Sequence, residues 1–499
     1  MADYKHGAYG VIQAVGSRVA DESQGAIVYV GTAPVHNLEG GANNVNVPIV
    51  VNNIAEARKY FSYSDEWDKY TLCEAMHVHL ENKGVGPLVF INVLDPTNAA
   101  HKKGTKVTAS KTPENGRITI PSGQDVIIDT VVIKTTDQTP VTKVKGTDYA
   151  IAYNIEKKSV VITELTTGAL GSAALSVEYY EIDATGVTSA DVIGASDGLG
   201  TNTGIFAIKN VYQLTGYIPA YLGCPGFSSV PAVHAAMYQN SVKVNGHWDV
   251  YLFVDLPLMN GQTALTLDTI KTYKDGNGYT KENETVFFPL AQGTDGNIYH
   301  LSVLAAANFQ ELLLAQDGIP YKTASNTDCA IIENLYMGVA NTGKVYDDSL
   351  INEKLNKNGI ASAAFVGGRW AIWGCHSADY DQSNGDQINV AETNRMMLYY
   401  ISNDFQHRRT PDVDKPMTAN DLQTIIAEEQ TRIDALLNIG ALTRGVVSLN
   451  ADAQARSDIM NGDYSFLFDI TTTPLAKSLT AIVNWTDEGF VTYFESVGD

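Results

Sequence analysis

Few residues of this chain stand in a pattern that supports chemistry, and a glycine-rich stretch is the first candidate. Residues 198–204 read GLGTNTG. The stretch lacks the Lys-Ser/Thr pair of a phosphate loop, and its third glycine comes one residue too late for a dinucleotide-binding fingerprint. We therefore predict an ordinary loop that precedes a helix or a strand.

Two pairs of neighbouring side chains could form a nucleophilic or metal-binding site. Cys375 and His376 are adjacent, and in a strand they would point to opposite faces, which prevents the hydrogen-bonded pair that thiolate catalysis needs. His77 and His79 lie two positions apart in a helical pattern, where their side chains diverge and cannot share a metal. We expect a strand-end thiol beside a solvated imidazole at the first pair, and surface or interface histidines at the second.

Other signatures of catalysis or metal binding are missing from the sequence. It contains no GxSxG, HExxH or DxDxDG motif and no paired-carboxylate site, and none of its 10 histidines stands in a metal-ligand spacing. The four cysteines are dispersed without a CxxC pair and are predicted to be buried free thiols: Cys73, Cys224, Cys329 and Cys375. We predict no catalytic residue, no metal and no cofactor, which favours a structural or binding role.

Size and charge narrow the class of protein further. A chain of 499 residues predicts two to four domains. Lys and Arg number 34 against 56 Asp and Glu, a formal charge of −22 that would repel nucleic acid. The sequence shows neither a signal-like N-terminus nor an apolar stretch of about 20 residues, so we expect neither Sec export nor membrane insertion.

Strand and helix signals alternate through the first hundred residues in the manner of a βαβ unit. The first 20 residues resemble an extended arm, and apolar runs at 25–31, 47–51 and 88–93 predict strands. An amphipathic helix is predicted from Ser64 to a glycine stop at Gly84. Short alternating runs between Lys103 and Asp183 predict instead a β-sandwich or small barrel; they are 117–120, 126–133, 159–162 and 175–178.

A second α/β region is predicted at about 190 to 380. Ser228 or Ser229 would cap a helix with Pro231 in its first turn, which leads into a strand within 248–257. Further strands are predicted at 285–290 and 360–373.

Two helices and a pair of strand-like runs are predicted in the last region. The first helix covers 392–405, and the second is capped by Thr418 and Asp421. The core face of the second helix is predicted to hold Leu422, Ile425, Ile426, Ile433, Leu436 and Leu437. The runs 479–485 and 490–494 predict a terminal hairpin or an extended strand pair.

Several short motifs, in their order, resemble those of contractile phage tail sheath proteins, including the sheaths of phage-tail-like bacteriocins. They are His6–Val11, Val28–Pro34, Asn46–Val51, Tyr251–Pro257 ending in Asp-x-Pro, His300–Ala307, Gly359-Ile360, Asn394–Met397 and Leu436–Ala441. The Trp-Gly-x-x-Thr motif of the family is here Trp373-Gly374-Cys375-His376-Ser377, and only one basic residue precedes Met396.

The resemblance implies an α/β multidomain protein whose core domains carry an inserted all-β domain and extended terminal arms. The expected parts are an N-terminal linking arm (1–20), an N-terminal α/β part (21–102), an inserted β-sandwich (103–185), a subtilisin-like α/β domain (186–380), a tube-proximal α/β domain (381–485) and a C-terminal linking arm (486–499). The likeness to subtilisin is one of fold, because Asp255 lies at a strand end without a Gly-Thr-Ser-Met segment to complete a triad.

The same resemblance implies a helical homo-oligomer that surrounds an inner tube, contracts, and meets baseplate and tail terminator proteins. Its residues would have two roles. The inter-subunit arms would use Tyr4, His6, Gly7, Tyr9 and Val11 at one end and Phe490, Val491, Thr492, Tyr493 and Phe494 at the other; candidate tube-facing residues are Arg395, Asp421, Glu428, Glu429 and Arg432. Assembly is expected in the bacterial cytoplasm, with release on lysis. The alternatives are a hydrolase on an α/β scaffold and a non-contractile virion surface protein.

Overall fold

The structure is a computed structural model that describes residues 25–338, 344–381, 387–450, 456–488 and 490. The chain divides into two compact units, Met1–Pro416 and Met417–Asp499. The architecture is mixed α/β with several sheets, which confirms the predicted α/β class. The predicted N-terminal arm and most of the predicted C-terminal arm lie outside the described residues.

An eight-stranded central sheet organises the first unit. Six consecutive strands run parallel, and the strand at each end is antiparallel to its neighbour. Short apolar runs form these strands because parallel strands are buried on both faces. The order across the sheet is Ile49–Val51, Leu88–Asn92, Ala26–Gly31, Pro219–Gly223, Tyr251–Asp255, Glu284–Phe287, Ile360–Val366 and Arg369–Trp373.

The helices of this unit connect the strands and several of them pack on the sheet. The most apolar one, Leu301–Ala315, is buried along most of its length. The helices are Ile54–Phe61, Thr71–Ala75 with its π-helical continuation Met76–Lys83, Ser189–Ile193, Val211–Thr215, Pro231–Gln239, Ile270–Gly276, Leu301–Ala315, Asp348–Lys354 and Glu392–Arg409. Among the described residues, no helix is long and apolar enough to span a bilayer.

Residues 103–183 form a β-rich region with an apolar cluster of its own. Two antiparallel sheets contribute side chains to this cluster, among them Ile118, Ile133 and Val177. Along the strands buried and exposed residues alternate, as expected for sheets with one solvated face. The sheets have the orders Val107–Lys111, Leu175–Tyr179, Val132–Thr135, Thr142–Lys143, and Arg117–Ile120, Ser159–Glu164, Tyr149–Asn154.

Neither edge of the central sheet offers a long exposed strand. At one end the edge strand Ile49–Val51 has only three residues. At the other end the outer edge of Arg369–Trp373 is covered by the segment 326–329: the Cys329 N–H donates to the Trp370 carbonyl at 2.9 Å. Smaller sheets complete the unit: Met259–Asn260 with Thr263–Ala264, and Ile298–Tyr299, Leu290–Gly293, Ile332–Tyr336.

The second unit is a helix packed on a two-stranded antiparallel sheet. The sheet pairs Leu442–Leu449 with Phe466–Thr472, and the helix Ala419–Asn438 contacts the first of these strands. The contact is close, because a Cβ at Gly445 would lie 2.1 Å from Ile433 Cγ2. A short helix, Arg456–Asn461, precedes the second strand. The predicted cap is confirmed, since Thr418 and Asp421 form a capping box.

Four predictions of secondary structure differ from the structure. Residues 126–133 were predicted as one strand, but only Val132–Thr135 is a strand. The reason is that Val126 and Ile128 belong to the cluster of the β-rich region whereas Ile127 belongs to the central core, so this run joins two cores. The predicted helix from Ser64 begins only at Thr71.

The third difference concerns the chain end. The run 479–485 forms no strand, so this half of the predicted terminal hairpin or extended strand pair is wrong; its apolar side chains are exposed. The other half, at 491–494, lies outside the described residues. The predicted strand at 360–373 is a hairpin, turned at Gly367 and Gly368 with φ of 58° and 82°.

Candidate functional site

The crevice that doubly wound proteins commonly use for ligands is filled here by the chain itself. Such crevices lie at the carboxyl ends of two neighbouring strands whose connections leave in opposite directions. In this sheet those strands are Ala26–Gly31 and Pro219–Gly223. The Thr71 side chain occupies the space, because a Cβ at Gly31 would lie 2.4 Å from Thr71 Oγ1. The Thr32 hydroxyl holds the segment that carries Thr71 in place by donating to the Lys69 carbonyl at 2.7 Å.

A buried carboxylate lies at the carboxyl end of the neighbouring strand. Asp255 accepts hydrogen bonds from the backbone N–H of Ser302 at 3.0 Å and from the Ser302 hydroxyl. The Asp255 N–H donates to Ser228 Oγ at 3.1 Å, so Ser228 does not cap the next helix, whose N-cap is Val230. Burial raises the pKa of Asp255 despite these bonds. Asp255 therefore caps the helix Leu301–Ala315 from a distant strand.

A buried ion pair adjoins this carboxylate. Glu74 Oε2 lies 2.6 Å from His300 Nδ1, and Glu74 Oε1 accepts the His300 backbone N–H at 2.6 Å. Burial alone would lower the pKa of His300, but the charge and hydrogen bond of Glu74 and the charge of Asp255 raise it to about 9. The imidazole is thus a cation at neutral pH that balances two buried carboxylates.

This cluster does not have the geometry of a catalytic triad. The Ser302 hydroxyl bonds Asp255 rather than an imidazole, and His300 bonds Glu74. Ser302 is also buried, so its hydroxyl has no imidazole base and is closed to substrate. The role of the cluster is structural, because its hydrogen bonds and ion pair connect a sheet strand, the helix Thr71–Ala75 and the helix Leu301–Ala315.

His79 corrects the prediction of a surface histidine. It is fully buried, with Nε2 at 2.8 Å from the Tyr29 hydroxyl and Nδ1 at 2.7 Å from Gln310 Oε1. Since Gln310 Nε2 donates to the Pro87 carbonyl, its oxygen must accept, which assigns the proton to His79 Nδ1. Burial lowers the pKa of His79 to about 4. Its π-helical segment turns it inward, whereas His77 pairs with Glu81 near the surface.

A second set of buried polar contacts holds the helix Glu392–Arg409 on the sheet. Glu392 accepts from the hydroxyls of Thr285 at 2.7 Å and Thr323 at 2.6 Å. Near the other end, Asn403 exchanges two hydrogen bonds with the backbone of Asp249, at 3.0 and 2.9 Å. Burial raises the pKa of Glu392. The helix predicted at 392–405 is confirmed and extends to Arg409.

The motifs that were examined for chemistry have structural roles. The glycine-rich stretch is a loop before the 3₁₀ helix Gly204–Asn210, as predicted, and Asp197 shapes it by accepting from the N–H of Leu199 at 2.7 Å. His376 is not a solvated imidazole: it is buried, stacks on Tyr380 and bonds the Val390 carbonyl. The four cysteines are free thiols, three of them buried. No acidic, histidine or cysteine cluster suited to a metal occurs within the described ranges.

The candidate interface residues differ in exposure. On the helix Ala419–Asn438, Asp421, Glu428 and Arg432 are exposed, whereas Glu429 is 1% exposed. Arg395 is half-buried and reaches the Asn389 side chain at 3.4 Å. Phe490 is exposed. The remaining predicted arm residues lie outside the described part: Tyr4, His6, Gly7, Tyr9, Val11, Val491, Thr492, Tyr493 and Phe494.

An apolar segment near the C-terminus is unusually open to solvent. Residues 473–486 have no regular secondary structure, yet Val483 is 90% and Trp485 81% exposed. In an extended chain, alternate residues share a face, which would place Leu479, Ala481, Val483 and Trp485 on one side. Within the described residues the sheet of the same unit has two strands. The Gln430 side chain bonds the outer edge of the first one, accepting from the Val447 N–H at 2.8 Å and donating to the Gly445 carbonyl at 3.1 Å. An exposed apolar segment thus lies in the same unit as a small two-stranded sheet.

Sequence reasoning missed the clusters around Asp255, Glu74 and Glu392, although it noted that Asp255 ends a strand. An acidic residue inside an apolar run was the available signal, because a buried carboxylate requires partners. The partner residues were not predictable, since Glu74 and His300 are 226 positions apart.

The fold is shared with a chain of the anti-feeding prophage baseplate. A chain from the baseplate of the anti-feeding prophage, in its 6-fold symmetrised form, superposes with a TM-score of 0.54 at 12% identity, covering 98% of this chain and 100% of that one. A chain from the same baseplate in the contracted state gives 0.52 at 13% identity, covering 97% and 99%. No family model matches the chain.

At the sequence level the chain is similar to the tail sheath protein of Burkholderia phage BcepMu. The two are 27% identical over 263 residues, which are 52% of this chain and 50% of that protein. The chain thus matches about half the length of this relative. The predicted resemblance to contractile tail sheath proteins is confirmed by this match.

Proposed function

We propose that the chain is the structural subunit of a contractile tail sheath, which polymerises helically around an inner tube and contracts to drive the tube through a target envelope. The similarity to the BcepMu tail sheath protein supports this function. The structural observation that supports it most directly is the exposed apolar segment 479–485. Exposed apolar surface of this kind is typical of a contact with another protein chain, which a polymer supplies.

The physical mechanism of assembly is strand addition between copies. An exposed sheet edge presents unpaired N–H and C=O groups that a strand from another chain can satisfy. Burial of Val483 and Trp485 would add apolar stabilisation at roughly 25 cal/mol per Å². Residues Tyr4–Val11 and Phe490–Phe494 are proposed to take part in the same linkage as the two terminal arms.

The remaining parts take the roles that the sequence predicts. Residues 103–185 act as an inserted β-sandwich domain, 186–380 as the rigid α/β body and 381–485 as the tube-proximal part, with Asp421, Glu428 and Arg432 available to the tube. The partners are further copies of the chain, the tube protein, the baseplate and the tail terminator. The particle assembles in the bacterial cytoplasm and is released on lysis.

We propose a structural rather than enzymatic role. Thr71 fills the crevice at the carboxyl ends of the strands, and the buried Ser302 hydroxyl bonds the Asp255 carboxylate instead of an imidazole. Contraction then needs no fuel: the extended array is metastable, and new lateral contacts between rigid domains supply the free energy.

Electron microscopy of the purified chain tests the proposal. The intact chain is expected to form helical cylinders or rings, and deletion of residues 1–12 is expected to leave folded subunits that no longer assemble. Cylinders that form equally well without residues 1–12 would remove the N-terminal linkage. A high-resolution reconstruction in which both termini fold back on their own subunit would refute the whole scheme.

A further inference from the structure

The β-rich region of residues 103–183 joins the α/β part of the first unit through two adjacent stretches of backbone. Lys102 and Ile182 pair in an antiparallel bridge, and the Lys103 N–H donates to the Glu181 carbonyl at 2.9 Å. The chain thus enters and leaves the region at one place. Because the region also has an apolar cluster of its own, it can turn about this connection as one body.

A short segment of the α/β part, residues 36–40, contacts the β-rich region and is called the docking segment below. Its His36 Nε2 donates to the Gln124 carbonyl at 2.8 Å, and its Gly40 N–H donates to Asp129 at 2.8 Å. A cleft of about 640 Å³, lined by residues of both parts, lies beside these contacts. The two parts therefore touch over only some of their facing surfaces, so loss of a docking contact would weaken their association.

Protonation of His36 would create a buried charge without a partner. A carbonyl oxygen only accepts, so Nε2 carries the proton of the neutral ring and a second proton can bind only at Nδ1. His36 is 1% exposed, and its Nδ1 faces no hydrogen-bond partner in the described part of the chain. A buried charge that lacks a partner destabilises the state that contains it.

The ionisable groups around His36 do not supply that partner. The short helices packed against Val35–Asn37 are Gly41–Asn44, Gly123–Asp125 and Ile128–Thr130, and the Tyr70 ring stacks on the imidazole with centroids 5.9 Å apart. The carboxylates on these elements and on the docking segment already pair with lysines: Asp125–Lys103 at 3.3 Å, Asp129–Lys145 at 3.1 Å and Glu39–Lys145 at 3.2 Å. The segment that carries Tyr70 adds the pairs Lys69–Glu66 at 2.5 Å and Lys158–Asp65 at 3.6 Å, and the exposed Asp68.

The docked position changes the acidity of this imidazole. Burial lowers the pKa of His36 from 6.5 to about 4, although the hydrogen bond to Gln124 and the charge of Asp125 act in the opposite direction. In a separated state the ring would be solvated and would titrate near 6.5. Docking therefore has its full stability above pH 6.5 and loses stability as the pH falls towards 4. The docking equilibrium is expected to shift about 30-fold at pH 5 and about 300-fold below pH 4.

We propose that the docking segment is an acid-sensitive contact: protonation of His36 Nδ1 releases the β-rich region, which turns about the connection at Lys102 and Ile182 without unfolding. The unpartnered Nδ1 supplies the sensitivity to acid, and the single connection supplies the hinge. A return to neutral pH restores the contact. The inference concerns one subunit, does not depend on polymerisation and goes beyond the proposed sheath function.

The test follows the accessibility of Ile127, a residue of the β-rich region that is buried in the central core of the α/β part. In the full-length Ile127→Cys variant the thiol reacts only when the two parts separate. Ile133→Cys is the matched control, because Ile133 is buried in the cluster of the β-rich region and would react only if that region unfolded. Labelling by 4,4′-dithiodipyridine is measured at pH 7.5 and pH 5 relative to free cysteine, and the natural chain corrects for its own four cysteines.

Relative labelling of Ile127→Cys should be about 30-fold faster at pH 5 than at pH 7.5, while Ile133→Cys should stay protected at both. Adding His36→Gln, which keeps a side-chain N–H but cannot be protonated, should abolish the acceleration. Adding His247→Gln, at an exposed histidine, should leave it unchanged. Acceleration that is absent, that is equal at the two cysteine positions, or that persists with His36→Gln would overturn the proposal.

Two further measurements keep the test decisive if circular dichroism shows that His36→Gln does not fold. His36→Phe retains an aromatic ring beside Tyr70 and should also remove the acceleration. In Ile127→Cys alone, the relative labelling rate should rise about tenfold for each unit of pH between about 6 and 4.5, as expected for one proton. A flat profile over this range would overturn the proposal.

Discussion

The central sheet of the first unit and the two-stranded sheet of the second differ in size and in how their edges end. The central sheet ends in a three-residue strand on one side and a covered strand on the other. The small sheet has two strands among the described residues and lies in the same unit as the exposed apolar run 479–485. In the proposed sheath, strands from another copy would extend the small sheet and not the central one.

The two units also differ in how many carboxylates they bury. The first unit buries several, including Asp255, Glu74 and Glu392, whereas the described part of the second buries Glu429. The exposed apolar residues Val483 and Trp485 belong to the second. Interior polar networks specify one rigid arrangement, while exposed apolar strands favour association. The comparison therefore predicts stability phenotypes in the first unit and assembly phenotypes in the second.

The largest effect is expected from a charge on the apolar side of the exposed segment. Val483→Asp should lower the assembled fraction at least about tenfold, because the carboxylate would be buried without a partner at the copy-to-copy contact. Its melting temperature should stay unchanged. Asn484→Asp, one position along and on the opposite face, is the matched control and should assemble normally. Analytical ultracentrifugation measures both; equal assembly of the two variants would contradict strand addition.

The next effect concerns the buried ion pair of the first unit. Glu74→Ala should reduce the free energy of unfolding by about 3–5 kcal/mol, because it leaves the His300 cation without its partner. Glu81→Ala is the control: its pair with Arg58 is exposed and is worth about 0–1 kcal/mol. Urea denaturation monitored by fluorescence gives both values. Equal losses of unfolding free energy in the two variants would show that the buried pair is no more stabilising than the exposed one.

The same pair predicts how stability depends on pH. The pKa of His300 is raised from 6.5 to about 9 on folding, so its contribution is complete below pH 6.5 and is lost as the pH rises through 9. The loss amounts to about 3 kcal/mol at 1.36 kcal/mol per pKa unit. Melting temperatures between pH 6 and 9.5 should fall for the natural chain. The slope should be flatter for His300→Gln, and parallel curves would exclude His300 as the cause.

The smallest effect is expected at the cap of the helix in the second unit. Thr418→Ala should cost about 1 kcal/mol, because the N–H of Asp421 loses its acceptor. Amide exchange in the first turn should then be about fivefold faster. Thr431→Ala, an exposed threonine in the middle of the same helix, should leave that turn unchanged, and a similar acceleration in both would argue against a cap effect.

Local signals in the sequence were sufficient for elements whose stability is local. The capping box at Thr418 and Asp421, the glycine stop at Gly84 and the short apolar strands of the central sheet follow from nearby residues, and the structure contains them. The strand Phe466–Thr472 was missed, because its pairing with Leu442–Leu449 depends on a contact across the chain. The π-helical turn that buries His79 was also unpredictable, since it depends on Gln310 more than 200 residues away.

The candidate site shows the same limit more sharply. Asp255 was identified as a strand-end carboxylate, but its partner Ser302 lies 47 residues further on. The position of Thr71 in the crevice could not be predicted either, because it depends on the space left at Gly31, which has no Cβ. Sequence motifs predicted the family, while the placement of buried charges required three-dimensional packing.

The short edge strand and the covered edge of the central sheet limit aggregation when many copies of the protein are present. A broad sheet with exposed edge strands would pair with other extended chains and aggregate. Here the segment 326–329 covers one edge of the sheet through backbone hydrogen bonds to Trp370 and Ile372. In the proposed sheath, copies would therefore join through the second unit rather than through the central sheet, so many identical copies could accumulate and still assemble in one defined order.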